Sequence, residues 1–270
     1  MNKKLYLGHN PSRYFGQNFL IDQKIIQKIV HCINPKKNEL LVEIGPGLGA
    51  LTKLISVLID ELIVIEIDPI LVYRLKQHHF SNKLFFFLQD VLSFNFLELF
   101  HQKNKYIRLV GNIPYNISTK LIFYIIQFSR IFYDVHFMLQ KEVADRLLAK
   151  PNDKKYSRLS VIIQYFFDIK LLLNILPKSF FPIPKVHSSF LKFTPYSVAP
   201  YYLKNINCLF LVTRLAFEKR RKIVKNSLGS LINEINLIKL NISPGIRAEN
   251  LTVLQYCTLA NYIFDNNLYK

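Results

Sequence analysis

One stretch of the sequence decides the fold, Leu40-Leu41-Val42-Glu43-Ile44-Gly45-Pro46-Gly47-Leu48-Gly49-Ala50-Leu51-Thr52. Its pattern predicts a buried strand, then a glycine-rich turn, then an apolar-periodic helix. Glycines allow a tight turn and let the backbone approach a ligand closely, while the helix that follows presents free N–H groups to it. The stretch therefore predicts a nucleotide-type binding loop within an α/β fold.

The spacing of the glycines fits two kinds of cofactor. Gly45, Gly47 and Ala50 satisfy the dinucleotide pattern G-x-G-x-x-G/A. Gly45, Gly47 and Gly49 also form the G-x-G-x-G spacing found in S-adenosylmethionine-binding proteins. The loop alone therefore does not choose between a dinucleotide and S-adenosylmethionine.

Further apolar runs near residues 62, 84, 106 and 134 alternate with helical segments. With the run at residue 40, they predict a doubly wound, Rossmann-like α/β domain with a largely parallel sheet. Such a sheet binds ligands at the carboxyl ends of its strands. Acidic side chains at those ends are therefore candidate ligands.

Two acids follow predicted strands. Glu66 follows Gly45 at roughly the 20-residue spacing of the acid that holds ribose hydroxyls. Asp90 lies two residues after the apolar run at residues 84–88, where a carboxylate can accept a hydrogen bond from an adenine amino group. An ordinary helix N-cap or solvated loop residue is the alternative for each acid.

A candidate reaction centre, Gly111-Asn112-Ile113-Pro114-Tyr115, follows the apolar run at residues 106–110. The Asn112 amide oxygen and the carbonyl before Pro114 offer two acceptors close together, and Tyr115 offers a flat face. This combination suits a flat heterocycle that carries an exocyclic amino group. The alternative is a strand end closed by a common Asn/Pro turn.

Five blocks of this sequence resemble the ribosomal RNA adenine N6,N6-dimethyltransferase family, in particular its bacterial small-subunit branch. The blocks are residues 14–22, 42–52, 111–118, 180–188 and 247–261. Many methyltransferases share the glycine loop, whereas the first block combined with residues 111–118 is specific. Ile113 stands where many relatives have leucine, an apolar change that leaves the chemistry intact. The resemblance implies a class I methyltransferase sheet with a small all-helical carboxy-terminal domain.

The resemblance also implies that S-adenosyl-L-methionine is the cofactor. The matching positions place two residues near its methionine part, one in the glycine loop, one on the ribose, one on the adenine and one beside the sulfonium. In that order they are Asn18 and Leu20, Gly45, Glu66, Asp90, and Asn112.

On the substrate side, the resemblance implies that Asn112 and the carbonyl of Ile113 or Pro114 accept hydrogen bonds from adenine N6. It gives Tyr115 and Phe181 the role of stacking on a base that has left its helix. The catalytic residues are thus expected to be Asn112, Pro114 and Tyr115.

The implied reaction is N6-dimethylation of two adjacent adenosines in a 3′-terminal hairpin of small-subunit (16S) rRNA, late in 30S assembly. The resemblance also implies a cytoplasmic enzyme that acts as a monomer on an assembly intermediate. The number of methyl groups rests on the resemblance, because the residues do not show room for a second methyl.

The charge of the chain agrees with a polyanionic partner. Lys and Arg number 36 against 18 Asp and Glu, which gives a formal net charge of +18 and an isoelectric point near 9.7. A basic cluster at residues 219–222, with Lys225, is predicted to lie on a helix, where Arg221 and Lys225 share a face. We expect Arg220, Arg221 and Lys222 to contact substrate RNA, a solvated face being the alternative.

Other features argue against competing sites. The three cysteines are isolated, and His78-His79 has no ligand partners nearby, which predicts no metal site and a helix end or loop at the histidines. The amino-terminal 18 residues lack the apolar core of a secretory signal. Residues 171–176, closed by Pro177, are too short to span a membrane and are predicted to form a core strand.

We predict two domains, a methyltransferase domain at residues 1–198 and a helical RNA-placement domain at residues 199–270. The proline-marked stretch at residues 194–200 suggests the boundary between them. Residues 151–156 are polar and are predicted to form a mobile loop.

Three alternatives to the favoured function follow from the same residues. A large-subunit rRNA adenine methyltransferase shares the chemistry, but the block that begins at Arg247 argues against it. A non-catalytic ribosome-assembly factor would not need the intact Asn112, Pro114 and Tyr115. A NAD-dependent dehydrogenase satisfies the glycine loop but leaves the segment that contains Phe181 unexplained.

Overall fold

The computed structural model describes residues 5–269, and the chain divides into two compact units. The described part of the first unit comprises residues 5–144 and 169–195, and that of the second comprises residues 145–168 and 196–269. Residues 145–168, which the sequence pattern placed in the first domain, thus group with the carboxy-terminal residues. The roles predicted for the two domains stay predictions.

Nine strands occur in the described residues. They are β1 Phe19–Leu20, β2 Leu40–Ile44, β3 Leu62–Glu66, β4 Leu84–Leu88, β5 Ile107–Asn112, β6 Phe132–Gln140, β7 Phe167–Ile175, β8 Phe180–Phe181 and β9 Ser188–Pro195. The helices of the first half of the described chain are α1 Gln23–Ile33, α2 Thr52–Leu58, α3 Pro69–Lys76, α4 Phe96–Lys103 and α5 Ser118–Ile126. Those that follow are α6 Lys141–Leu148, α7 Arg158–Phe166, α8 Ile206–Glu218, α9 Val224–Ser227, α10 Glu234–Lys239 and α11 Val253–Asp265.

Seven of the strands form one sheet in the order β4-β3-β2-β5-β6-β9-β7. The pairs from β4 through β6 are parallel, and β6 pairs with β9 in antiparallel orientation. Every residue of β2 and β3 is buried, as expected for parallel strands covered by helices on both faces. The predicted α/β fold, and the strands predicted near residues 40, 62, 84, 106 and 134, are confirmed.

Register brings the carboxyl ends of the central strands to one edge of the sheet. Ile44, the last residue of β2, is paired with Ile65 in β3 and with Gly111 in β5. Glu66, the last residue of β3, is paired with Leu88 at the end of β4. The loops that follow these strands therefore begin side by side.

The prediction of a core strand at residues 171–176 was only partly right. These residues do form most of β7, but β7 lies at an edge of the sheet and its middle is partly solvent-exposed. Leu171 is 45% exposed and Leu176, just after the strand, is 47% exposed. An apolar run identifies a strand but does not fix its place in the sheet, because strand order depends on pairing with distant segments.

A buried ion cluster ties β5 to β6 in the first unit. Asp134 is fully buried and accepts two hydrogen bonds from the Arg108 guanidinium, both at 2.9 Å. Lys192 of β9 lies 3.2 Å from the same carboxylate, and Arg108 also donates to Glu39 at 2.6 Å. Burial, the largest single cause, acts to raise the pKa of Asp134, but the Arg108 hydrogen bonds together with the charges of His136, Arg108 and Lys192 lower the pKa below its ordinary value. The carboxylate is therefore charged and compensated.

His136 lies beside this cluster and is 1% exposed. Burial, the largest cause, lowers the pKa of its imidazole to about 4, against the opposing carboxylate of Asp134 and with the support of Arg108 and Lys192. An unfolded chain has a histidine pKa of about 6.5 and so binds a proton that the folded chain does not. This contribution to stability is full above about pH 6.5 and is lost as the pH falls toward about 4.

We expect the substitution His136→Phe to weaken the acid sensitivity of the fold, because it removes the group that must be kept neutral while preserving a ring beside Phe190. Between about pH 7 and about pH 5, the free energy of unfolding in urea should fall less steeply for the variant than for the wild type. The exposed His79→Phe provides the control and should keep the wild-type slope. Parallel pH profiles for His136→Phe and the wild type would contradict the expectation.

The second unit is helical around a core built from α7, α8 and α11. Helices α8 and α11 each bury one side against that core. The core residues of α8 are Cys208, Leu209, Val212 and Ala216, and those of α11 are Tyr256, Leu259, Ala260 and Ile263.

The loop at residues 151–156 is anchored in this unit, not held free as predicted. The backbone N–H of Asn152 donates to the carbonyl of Glu249 at 2.8 Å, and its side chain accepts from Asn250 at 2.8 Å. Tyr156 is fully buried, with its ring edge against Phe217. Partners nearly a hundred residues away along the chain fix this loop. The polar sequence of the loop therefore did not indicate mobility.

Candidate cofactor and target-base site

A cavity of about 600 Å³ lies at the carboxyl edge of the sheet within the first unit. Its walls are the glycine loop after β2, the residues that follow β3, β4 and β5, and the amino-terminal segment up to β1. The register described above gathers these loops at one place. The cavity has the volume of an ordinary small-molecule site.

The glycine loop forms the floor of the cavity. Gly45 and Gly47 both adopt positive φ, at 62° and 60°, a conformation that side chains other than glycine rarely take. A Cβ on Gly47 would also come within 3.1 Å of the Phe19 ring. The loop therefore needs glycine at Gly47 for two separate reasons, backbone conformation and space.

Glu66 lines the cavity and is oriented by three backbone N–H groups. One carboxylate oxygen accepts from Ile67 at 2.9 Å and from Asp68 at 3.0 Å, and the other accepts from Gly47 at 3.3 Å. Burial is the main cause that raises the pKa of Glu66, and the backbone hydrogen bonds oppose it. These contacts fix the carboxylate in place and link it to the glycine loop.

Asp90 lines the cavity from an exposed position. Its carboxylate also accepts from the backbone N–H of Leu92 at 2.9 Å and caps a short 3-10 turn, Val91–Ser93. The capping role that the sequence left open is thus present, with the carboxyl group at the cavity edge.

Asn112 is held with one end of its amide engaged. Its Nδ2 donates to the carbonyl oxygen of Asn18 at 2.9 Å, and both residues line the cavity. Because the amide nitrogen is committed to this bond, Oδ1 is the atom that the side chain can offer as an acceptor to a ligand. The structure brings Leu20 and Pro114 to the same cavity.

Tyr115 is fixed by a hydrogen bond to a residue of β9. Its hydroxyl lies 2.8 Å from the hydroxyl of Ser188, which is fully buried at the start of β9. Burial raises the pKa of Tyr115, with the Ser188 hydrogen bond acting in the opposite direction. The phenol is therefore neutral, and its ring orientation is set by β9.

Phe181 is half-buried and is not one of the residues that line the cavity. It pairs with Phe19 across the small β1–β8 sheet, and its ring centroid is 5.5 Å from that of Tyr6, which does line the cavity. Tyr6 and Ser188 are neighbours of the site that the sequence did not predict. Ser188 reaches it through the pairing of β9 with β6, and Tyr6 contacts the ring of the distant Phe181, so neither leaves a local signal.

The basic cluster belongs to the second unit, and the prediction that it lies on one helix was wrong. Helix α8 ends at Glu218, and residues 219–222 form a turn before α9. Arg220 is paired with Glu249 at 2.7 Å and donates to the carbonyl of Lys154, whereas Arg221 and Lys222 are exposed. The cluster thus divides into one anchored guanidinium and two exposed cations.

In residues 5–269, no group of three or more histidine, cysteine, aspartate or glutamate side chains could hold a metal ion. His78 and His79 lie in the turn after α3, as predicted, and the His78 ring stacks on Phe80 at 5.0 Å. None of the described helices is long and apolar enough to cross a membrane.

The fold and cavity define an α/β enzyme of the class that binds a nucleotide-type cofactor at the carboxyl edge of its sheet. A family model, ribosomal RNA adenine dimethylase, matches residues 8–265. The chain therefore belongs to the ribosomal RNA adenine dimethylase family. It is an S-adenosylmethionine-dependent enzyme that dimethylates adenines of ribosomal RNA, which resolves the cofactor choice left open by the glycine spacing.

Two curated relatives share the length of this chain. A protein of Buchnera aphidicola subsp. Schizaphis graminum, named ribosomal RNA small subunit methyltransferase A, is 52% identical and covers 99% of this chain and 98% of its own. A protein of the same name from an Enterobacter species is 47% identical, with 98% of each chain covered.

Solved structures agree with the fold. A dimethyladenosine transferase from Plasmodium falciparum has a TM-score of 0.75 at 27% identity, over 93% of this chain and 98% of that one. The 23S rRNA methyltransferase ErmE has a TM-score of 0.67 at 20% identity, over 91% of this chain and 99% of that one. The second likeness shows the fold alone.

We expect Tyr115→Ala to lose more activity than Tyr115→Phe, because phenylalanine keeps a ring face for a base and loses only the bond to Ser188. Stacking on an aromatic ring is worth about 1–3 kcal/mol per base, whereas a neutral hydrogen bond contributes about 1 kcal/mol. The comparison uses methyl transfer to rRNA at saturating S-adenosylmethionine. Equal losses in the two variants would show that the ring face is not what matters.

Proposed function

We propose that this enzyme dimethylates N6 of two adjacent adenosines in a 3′-terminal hairpin of small-subunit (16S) rRNA, late in 30S assembly. The observation that carries the small-subunit target is the 52% identity, over nearly the full length of both chains, to a relative named for that subunit. The block that begins at Arg247 supports the same branch of the family.

The proposed chemistry rests on how Asn112 is held. Adenine N6 is a weak nucleophile because its lone pair is delocalised into the ring. We assign Asn112 Oδ1 and the carbonyl of Ile113 or Pro114 as acceptors of the two N6 hydrogens, which favours a pyramidal nitrogen with a localised lone pair. The bond from Asn112 Nδ2 to Asn18 supports this role, since it leaves the oxygen for the base.

The cofactor supplies a methyl group that is already activated on a sulfonium. The adenine amine becomes strongly acidic as it takes up the methyl group, so its displaced proton passes to water and no metal or strong general base is demanded. Positioning with fixed electrostatics carries the catalysis. We assign Asn18, Leu20, Gly45, Glu66, Asp90 and Asn112 to cofactor binding. All six line the one cavity, which supports the assignment.

The target base must leave its stack to reach this cavity, at a cost of a few kcal/mol. We assign Tyr115 and Phe181 to offset that cost by stacking. The fixed ring of Tyr115 supports its share. For Phe181, the assignment is supported by the contact of its ring with Tyr6, which lines the cavity.

The second methylation starts from an amine with one remaining N–H. We propose that a single acceptor then suffices, and that the product is N6,N6-dimethyladenosine. Mass analysis of the product nucleosides tests this point directly, because a product that stops at monomethyladenosine would contradict the proposal.

RNA placement is proposed for the carboxy-terminal domain, residues 199–270, with methyl transfer in residues 1–198. Arg221 and Lys222 are exposed and suit contact with phosphates, which supports this role. Arg220 is assigned a supporting part, because its guanidinium is engaged by Glu249. We further propose that the enzyme acts as a cytoplasmic monomer on a 30S assembly intermediate.

The decisive experiment measures methyl transfer from labelled S-adenosylmethionine to unmethylated small subunits and to large subunits. We expect dimethyladenosine in small-subunit rRNA only, and its loss in Asn112→Ala, since that variant lacks the acceptor for N6. The matched control is Asn236→Ala, an asparagine on α10 of the second unit.

Label in large-subunit rRNA would shift the target to the other ribosomal subunit. Tight binding to small subunits without transfer to either would instead favour an assembly role for this chain. Each result is distinct from a folding failure, because circular dichroism and thermal melting are recorded on the same preparations.

A double substitution, Arg221→Ala with Lys222→Ala, should weaken RNA binding and leave cofactor affinity unchanged. Each lost phosphate contact should reduce the slope of log K against log salt by about 1. The control removes two exposed cations, Lys36 and Lys37, that precede β2 at the opposite edge of the sheet from the glycine loop. Equal salt slopes for the cluster variant and the wild type would remove Arg221 and Lys222 from the RNA surface.

A further inference from the structure

The amino-terminal segment, residues 5–18, folds around the side chain of Gln17. The Gln17 Oε1 atom accepts from the backbone N–H of Ser12 at 2.7 Å and lies 3.2 Å from His9 Nε2. The backbone N–H of Gln17 in turn donates to the carbonyl of Ser12 at 3.1 Å. One amide oxygen thus links Gln17 to two earlier residues of the same segment.

The other end of the same amide reaches the body of the first unit. Gln17 Nε2 donates to Asp68 Oδ2 at 2.7 Å, across 51 residues of sequence. Asp68 is 4% exposed, and its Oδ1 accepts from the backbone N–H of Ile70, which caps α3. The backbone N–H of Asp68 donates to the Glu66 carboxylate at 3.0 Å. Two hydrogen bonds, one to the Asp68 side chain and one from the Asp68 backbone, therefore connect the segment to Glu66.

The two ends of this chain lie on different walls of the cavity. Asn18, directly after Gln17, holds the Asn112 amide, and Glu66 stands below the glycine loop. A ligand that contacts both walls requires them at a fixed separation. Gln17 supplies a side-chain hydrogen bond between those walls, and its acceptor is a buried carboxylate, for which such bonds are strong.

We propose that Gln17 is a positioning residue for S-adenosylmethionine, which it serves by locking the amino-terminal segment onto Asp68 and so aligning Asn18 with Glu66. The inference depends on the cofactor and is independent of the ribosomal subunit that the enzyme modifies. It assigns Asp68 a second task beyond capping α3.

The geometry permits an exchange of the two polar groups. Gln17→Glu sets a carboxylate against the Asp68 carboxylate, and Asp68→Asn sets an amide nitrogen against the Gln17 amide nitrogen, so each single change breaks the bond. In the double variant the new carboxylate at position 17 still accepts from Ser12, and the new amide nitrogen at position 68 donates to that carboxylate. The new amide oxygen at position 68 still caps α3. The direction of the bond is reversed and the net charge of the pair is restored.

We expect the dissociation constant of S-adenosylhomocysteine, measured by titration calorimetry, to rise roughly 10- to 100-fold in each single variant. The double variant should return to within about threefold of the wild type. With rRNA as substrate, the KM for S-adenosylmethionine should follow the same order, while kcat at saturating cofactor and the KM for rRNA change little. A merely structural role would not produce this split between KM for the cofactor and kcat.

Gln77→Glu makes the same charge change at the exposed far end of α3 and should bind S-adenosylhomocysteine like the wild type. The proposal is overturned if the two single losses multiply in the double variant, or if Gln17→Glu binds normally. If Asp68→Asn fails to fold, the affinity of Gln17→Ala for S-adenosylhomocysteine tests the proposal instead. It should weaken binding less than Gln17→Glu, because it loses the bond without adding repulsion, and wild-type affinity for Gln17→Ala would also overturn the proposal.

Discussion

Parallel register between β2 and its two neighbours is the constraint on which the rest of the site depends. Because Ile44 is level with Ile65 and Gly111, the glycine loop, Glu66 and Asn112 all emerge at one edge of the sheet. A shift of one residue would turn buried side chains of a strand toward the opposite face. The continuous burial of β2 and β3 shows why, apart from Glu43 and Glu66, the sequence in these strands is apolar on both faces.

Within that frame, the polar groups of the site are held by contacts that leave chosen atoms available. The Asn112 amide nitrogen donates to the Asn18 carbonyl, and the Tyr115 hydroxyl is hydrogen-bonded to the Ser188 hydroxyl. The Glu66 carboxylate accepts from three backbone N–H groups. Groups fixed before a ligand arrives need no reorganisation when the reaction occurs. Such fixed groups suit the proposed mechanism, in which methyl transfer relies on placement more than on acid–base chemistry.

The sequence predicted the parts of the site that follow a strand directly. The glycine loop, the acid that ends β3 and the Asn-Ile-Pro-Tyr stretch that begins at the end of β5 are short local patterns, and all of them line the cavity. The basic cluster was predicted less well, since nothing in residues 219–222 marks the end of a helix. Arg220 is instead engaged by Glu249, 29 residues further along the chain.

By itself, the sequence determined the α/β class, the nucleotide-type loop, the family and most of the residues that line the cavity, because those depend on local pattern and on motifs of fixed spacing. The tertiary structure alone decided that β7 lies at an edge, that the loop at residues 151–156 is anchored, and that Gln17 reaches Asp68. Each of these depends on contacts between segments far apart in the chain. Such contacts are fixed by the packing of the whole unit, which a local pattern does not encode.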